Sequence, residues 1–589
     1  MLNIQNLLFI LSFTIFFYIK CDIPVECPKN LIQGEWIFRI NKETFQPGLT
    51  NPKTSCTHGF PDKIDQTIGD KDYSYDTYRD IVVTLNGDYK VYEENIEIGT
   101  WTPVYNEGFI ANFKNAELFA FMKYFKNPNG TGFLSNCDKT MIGWYVSDVS
   151  NKMKNWSCFF GFKTKIKKSF SRALVQIKSF LKTQEVKRAE EIERRNIELF
   201  YRDDPIFLET KSKSKLSSMK YEDQIDYVNE INTSGLTWKA DFNDNFKGFT
   251  LAQINEKIGS KMKFSSKKSQ MYETDMLDDK SENFNTKSFK SNTLKKNKLI
   301  YNEKQNRNGD NNREQDSHLI TNQHEINKYR DIPVENIDSK KLPLNWDWRN
   351  VGGVNYIPPP RKQEDCGSCY IFSSVSALES HLRIQTLNRD QTLFSKQYLV
   401  SCNPYTEGCE GGYPILVGKF LNEFNIIPET CFPYKAKNVD CNLRCSNPEN
   451  RRKYKVSKYG YLGGFYGGTT EEMMMKEIRA HGPMPGNILV PWNFSYYKSG
   501  IYMFQHKVNK NNGKISKSSL IDRNLDWQKV EHSVLIVGWG EENGVKYWIC
   551  LNTWGTNFGE GGFFRILRGE NECNIESMGD FLRLKFEDL

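Results

Sequence analysis

The sequence predicts an α+β fold in two folded parts, an antiparallel β part and then a domain that runs from helix into strands. Three observations predict it. Short alternating segments separated by turn residues fill residues 22 to about 165. An amphipathic helical repeat followed by strands fills 342–589. Between the two lies a stretch rich in Lys, Asn, Ser and Glu. At 589 residues the chain is too long for one core, so more than one domain is expected. Apolar content of 38% and charge of 26% suit a soluble globular protein. A mean hydropathy of −0.62 adds a polar excess that fits a disordered segment. The net charge of +8 is modest for this length and gives no reason to expect a nucleic-acid partner.

The first element is "MLNIQNLLFILSFTIFFYIK". Leu7 to Ile19 is apolar except for Ser12 and Thr14, too short for a span of about 20 residues. It reads as a secretory signal over 1–21, although no basic residue precedes it and Ile19 and Cys21 make a poor cleavage site. With no second long apolar run, the chain is expected in the secretory lumen and without stable membrane insertion. The 14 cysteines are therefore read as disulfide candidates; none lies between positions 160 and 365.

Next come the strands. "DIVVTLNGDYKVYE" places alternating segments around Asn86-Gly87, a hairpin signal. "EWIFRI", "GFIANF", "LFAFMKYF" and "GWYVSDV" add more, which suggests an antiparallel barrel or sandwich. Residues 166–341 differ. "FLKTQEVKRAEEIERRNIELF" reads as a charged helix, and "YVNEINTSGLTWKADFNDNFKGFT" holds a few aromatics. Lys261 to Arg330 reads as a disordered linker open to proteolysis.

The last part holds the candidate chemistry. "CYIFSSVSALESHLRI" has a helical apolar repeat, and "HSVLIVGWG", "KYWICLN" and "GFFRILRG" read as strands. A cleft between a helical and a β half is expected. Cys369 starts the helix, where the dipole and unpaired N–H groups favour a thiolate. A thiolate nucleophile needs a histidine partner. Of the seven, His318 and His324 fall in the linker, His58 in the first part and His506 in a polar loop. His381 is twelve residues along the Cys369 helix, about 18 Å away. His481, which looks like a turn residue before Gly-Pro, and His532 remain. His532 is favoured because it opens an apolar strand.

"QEDCGSCYIF", "EHSVLIVGWG" and "LNTWGTNFGEGGFFRI", in this order and spacing, resemble the papain family of cysteine peptidases. "GCEGGYP", "CFPY", "GGFYGG" and "NECNIES", with "DIPVECPKNLIQGEWIF" near the start, are similar to the cathepsin C (dipeptidyl peptidase I) type. The Lys/Asn-rich linker resembles that of malaria-parasite dipeptidyl aminopeptidases. The resemblance implies a two-lobed papain-like domain over 342–589 and a β-barrel exclusion domain over 22–165. The segment 166–341 would be propeptide and linker. It implies that Cys369 is the nucleophile, His532 the base and acid, Asn552 the group that orients His532, and Gln363 an oxyanion donor. Trp554 would shield the Asn–His bond. Gly411 and Gly412 would line the cleft. Asp22, first after signal removal, would pair with the substrate's free amine.

The resemblance further implies disulfides Cys366–Cys409, Cys402–Cys441, Cys431–Cys445, Cys27–Cys137 and Cys56–Cys158. Cys550 and Cys573 would be free. The substrates would be peptides cut two residues at a time, in a secreted, lysosome-like or vacuolar setting, by a homotetramer. No metal or required cofactor is implied. Chloride belongs to the type, but Ile415 stands where a chloride-site tyrosine is expected. Pro485-Gly486-Asn487 departs from an apolar run that walls the second subsite. "KSSLIDRNLDWQKV" also diverges, leaving any cut between chains there open. Four sequons start at Asn129, Asn155, Asn232 and Asn493, and "EEMMMKEI" reads as a helix with core methionines. The alternatives are an endopeptidase of the same fold, an inactive peptide-binding relative, which the intact set of four catalytic residues opposes, and a thioredoxin-like oxidoreductase. The last would need a strand before Cys366, where "PPPRKQED" is a poor one.

Overall fold

The alternating segments do form strands, and the strands close on themselves. The computed structural model describes residues 25–42, 56, 78–126, 133–147, 154–164, 219–251, 253–254, 323, 326–329, 332–441, 454–504, 506–508, 515–517 and 530–586. The signal, Asp22, the charged helix and most of the Lys261–Arg330 linker lie outside them. In the first domain the strands are β1 (Gly34–Asn41), β2 (Tyr78–Leu85), β3 (Lys90–Glu93), β4 (Ile96–Val104), β5 (Gly108–Phe113), β6 (Ala116–Lys126), β7 (Phe133–Thr140), β8 (Gly143–Ser147) and β9 (Asn155–Lys163). They pair as an antiparallel sheet, and β1 also pairs with β9, which closes the barrel. Closure removes the exposed edges that an open sheet would leave. Trp36, Phe38, Phe109 and Phe159 fill the inside, with ring centroids 5.6 to 5.9 Å apart. Between β2 and β3 the chain needs four residues, 86–89, with Tyr89 at φ 65°.

Part of the segment before 342 packs on the second domain. In the segment that was to be propeptide and linker, a helix spans Ile225–Thr233, and β10 (Trp238–Ala240) pairs with β14 (Tyr497–Tyr502). Tyr221 stacks on Tyr496 at 4.4 Å, and Trp238 lies buried between Tyr497 and Tyr502. Ile326 and Tyr329 are also buried, and the Arg479 guanidinium lies 4.8 Å from the centre of the Tyr329 ring. The disordered reading therefore runs too far at its C-terminal end. Its sparse apolar residues find a surface to pack on only once the second domain is built.

The helical lobe carries Cys369–Gln385, Lys396–Cys402 and Pro414–Glu423. The other lobe is a sheet ordered β10–β14–β19–β18–β17–β11, with β13 added on β17. Here β11 is Trp346–Asp347, β13 Met484–Ile488, β17 His532–Glu542, β18 Val545–Leu551 and β19 Phe563–Leu567. A separate pair, β12 (Tyr454–Tyr461) with β20 (Asp580–Phe586), packs beside the helices. The helix Glu471–His481 buries Met474. His481 therefore ends a helix instead of sitting in a turn. His506 opens a short ribbon, β15 (His506–Val508) with β16 (Ile515–Lys517), where a polar loop was expected. Pro485 does not disturb β13, which keeps register with β17 from Met484↔Ile536 to Ile488↔His532. The other side of β13 carries only the single bridge Gly486↔Gly579, so the proline's missing N–H breaks no ladder.

Candidate active site

Cys369 is the first residue of its helix, after Ser368, whose side chain does not cap it. The Ser368 hydroxyl instead pairs with the Tyr434 hydroxyl at 2.7 Å. The helix start therefore keeps its partial positive charge beside the thiol. That thiol forms no disulfide and is half-buried, while Cys366 is bonded to Cys409. The disulfide spans 43 residues, worth about 4 kcal/mol on a chain-entropy view. Gly367 N–H donates to Cys409 C=O at 2.7 Å, so the loop before Cys369 is tied twice.

Gln363 is held on three sides. Its N–H donates to Thr553 C=O at 2.9 Å, and its Oε1 accepts from the Thr553 hydroxyl at 2.5 Å. Its Nε2 donates one hydrogen to Cys366 C=O at 2.9 Å. The second Nε2 hydrogen is the one available to a substrate oxygen.

His532 opens β17 and is 4% exposed. Its Nε2 donates to Asn552 Oδ1 at 2.9 Å, and the same oxygen accepts Thr553 N–H at 2.8 Å. Two donors on one oxygen fix the amide's orientation. Asn552 Nδ2 makes no hydrogen bond. In the neutral ring this leaves Nδ1 unprotonated, as a general base must be. The Trp554 ring covers the pair, 5.2 Å from the His532 ring. Burial pushes His532 down to about 4, against the Asn552 bond, which raises it. The ring is therefore neutral near pH 7 unless a negative charge lies beside it. Ser533, next in the strand, bonds Ser373 at 2.7 Å, one turn beyond Cys369. That tie joins the two lobes beside Cys369 and His532.

Gly411 and Gly412 have φ of 137° and 153°. A Cβ on Gly412 would come 2.8 Å from Tyr370 and Thr406, so only glycine fits. Of the disulfides, Cys27–Cys137, Cys56–Cys158, Cys366–Cys409 and Cys402–Cys441 are formed. Cys431 is also disulfide-bonded, and Cys445 lies outside the described residues. Cys550 and Cys573 are free and buried. His381 is buried on Pro483 C=O at 2.9 Å, away from the site.

Several residues had no sequence signal. Thr553 orients Gln363. The turn between β4 and β5 reaches the second domain: the Tyr105 hydroxyl meets Val530 N–H and C=O, each at 3.3 Å. Tyr105 packs on Tyr413 at 5.3 Å, and Tyr413 donates to Glu107 Oε1 at 2.6 Å. Asn245 Nδ2 bonds Trp554 C=O at 2.8 Å and Phe246 stands edge-on to Trp554.

Ile415 has no hydroxyl, and the carboxyl of Asp580 is buried. Asp580 Oδ2 accepts from Asn487 Nδ2 at 2.8 Å. Among the described residues no cluster of His, Cys, Asp and Glu could hold a metal, and no helix is long and apolar enough to cross a membrane. The disulfides belong to an oxidising compartment.

Residues 342–581 match the papain family cysteine proteases, and residues 22–163 the cathepsin C exclusion domain. Cathepsin C of Schistosoma mansoni is 36% identical over 40% of this chain, and the match spans 51% of that relative. Dipeptidyl aminopeptidase 1 of Plasmodium falciparum is 25% identical over 96% of this chain and 94% of its own length. Cathepsin Z of Onchocerca volvulus is 34% identical over 41% of this chain and 75% of its own.

Proposed function

The chain belongs to the papain family of cysteine peptidases and carries a cathepsin C exclusion domain before its peptidase domain, and from that premise we propose that it is a cysteine dipeptidyl aminopeptidase. The observation that carries the proposal is the seat of the barrel's turn. Tyr105 and Glu107 lie against Tyr413, beside Gly411 and Gly412, and against Val530, two residues before His532. A peptide chain entering from that side is stopped there. The name of the Plasmodium relative supports the same reading.

The proposed chemistry is acyl transfer. The Cys369 thiol gives its proton to His532 Nδ1, and the thiolate attacks the carbonyl of the substrate's second residue. The oxyanion takes hydrogen bonds from Gln363 Nε2 and Cys369 N–H. The imidazolium, held by Asn552, then protonates the leaving amine and a thioester remains. Water, with its proton passing to His532, releases the dipeptide and restores the thiol. Asp22 would pair with the substrate ammonium once the signal is removed.

Chloride has no place in this scheme, and replacing it with acetate is expected to leave the rate unchanged. A tetramer and a lysosome-like or vacuolar lumen are proposed on family likeness. Light scattering on the processed protein checks the first, and a fluorescent fusion checks the second. The activity is tested with fluorogenic dipeptides carrying a free or a blocked amine. Cleavage of the free form alone is expected; equal cleavage of both would overturn the proposal in favour of an endopeptidase.

A further inference from the structure

Between barrel and peptidase domain lies a buried ionic cluster that no catalytic step uses. Lys419, on the helix Pro414–Glu423, is fully buried. Its ammonium donates to Glu117 Oε1 on β6 at 2.5 Å and to Glu423 Oε1 at 2.6 Å. Glu117 Oε2 accepts from the Tyr459 hydroxyl at 2.7 Å. Glu423 Oε2 accepts from the Tyr405 hydroxyl and, at 3.3 Å, from Trp156 Nε1. Beside them Lys154 Nζ donates to Asn422 Oδ1 at 2.8 Å. Glu117, Lys154 and Trp156 come from the barrel; the rest come from the peptidase domain.

Burial alone would strip the charge from Lys419, but the two carboxylates outweigh it and hold the amine protonated. Burial would likewise raise Glu117, and Lys419 keeps it below the usual range. An apolar contact of the same area would dock the domains with freedom to slide. Directed bonds between charges that have no water to turn to permit only one register. The helix that carries Lys419 begins at Pro414, directly after Tyr413, which bonds Glu107 of the blocking turn. Lys419 is five residues along, about 8 Å by helical rise. The cluster and the turn thus act on one rigid piece.

We propose that Lys419 is a positioning residue that sets how deep the exclusion domain sits in the cleft, and through it the two-residue length of the product. This rests on the dipeptidyl aminopeptidase reading.

Two variants test it, Glu117→Gln and Lys419→Met. The first removes only the charge that crosses between the domains. The second leaves Glu117 and Glu423 facing each other. The readout is the ratio of blocked-amine to free-amine dipeptide cleavage, with iodoacetamide alkylation of Cys369 as the measure of an intact site. The expected ratio rises at least threefold in Glu117→Gln and at least tenfold in Lys419→Met, with alkylation within twofold of the parent. A parent-like ratio in Glu117→Gln overturns the proposal, whether or not Lys419→Met folds. A rise matched by an equal change in alkylation also overturns it, because the damage then reaches the site itself. If the parent already cuts both reporters equally, the function reading fails instead.

Discussion

Gln363 shows how a single residue can be spent almost entirely on holding still. Its backbone N–H, its Oε1 and one Nε2 hydrogen are all committed to Thr553 and Cys366. What remains is one hydrogen at a fixed angle, which suits the proposed oxyanion donor. Replacing Gln363 with Ala is expected to lower kcat about 100-fold, the usual scale for losing one oxyanion donor. Alkylation of Cys369 would stay near the parent rate. A kcat within threefold of the parent would remove Gln363 from the mechanism. Asp580 is the opposite case, a buried carboxyl that suffers from its place. Burial, against the Asn487 and Ile415 bonds, pushes it up to about 8 from 3.8. Below pH 4 both folded and unfolded chains hold the proton, and nothing is lost. As pH rises toward 8 only the unfolded chain ionises, which costs about 1.4 kcal/mol of stability per pH unit. Asp580→Asn should therefore flatten the fall in Tm between pH 5 and 8. An unchanged slope would mean that the carboxyl is not held protonated.

At the scale of elements, β10 was the least expected. Trp238, 1% exposed, lies about a hundred residues before position 342 yet packs in the sheet core of the second domain. Trp238→Ala is expected to cost about 3–5 kcal/mol, the range for emptying a buried tryptophan site. Denaturant unfolding checks it. A loss below 1 kcal/mol would make the segment a passenger on the peptidase domain. The contrast with other elements shows what was legible. The barrel strands alternate apolar and polar residues over much of their length, β17 to β19 carry short apolar runs, and the Cys369 helix repeats apolar residues at helical spacing. Those signals are local. Tyr221, Trp238 and Phe246 have no such period; each fits a surface made by Tyr496, Tyr502 or Trp554 from the far end of the chain. Lys419 and Glu423 stand i,i+4 on one helix, and only β6, laid over them, makes them a buried cluster. The proposed catalytic set was read from motifs fixed in type and order. The partners that hold it still, Thr553 and Ser373 with Ser533, were not, because hydroxyls are common and only the fold selects them.

For the whole molecule the question is how a barrel outside the catalytic lobes counts residues. Its N-terminal strand of chain is anchored close to the cleft. Cys27 is bonded to Cys137, and Cys27 N–H donates to Asn106 C=O at 2.6 Å, next to Tyr105. Val25 is buried there. Three further residues, at roughly 3.5 Å each, give Asp22 a reach of about 10 Å from Val25. If Asp22 is the first residue of the processed chain, five residues, roughly 17 Å of extended chain, separate it from Cys27 beside the Tyr105 turn. Pairing with a substrate ammonium would then add a charge-assisted hydrogen bond of about 1.5–3 kcal/mol. Asp22→Asn keeps the size and removes the charge. It is expected to raise KM for free-amine dipeptides about 10- to 100-fold, with kcat changed less than threefold. Steady-state kinetics on protein whose N-terminus has been sequenced give the answer. An equal loss of kcat would place Asp22 in support of the catalytic lobe, and an unchanged KM would leave the amine to another partner. A shift confined to KM leaves one arrangement standing, in which the lobes supply the chemistry and the barrel, pinned by Lys419, supplies the ruler.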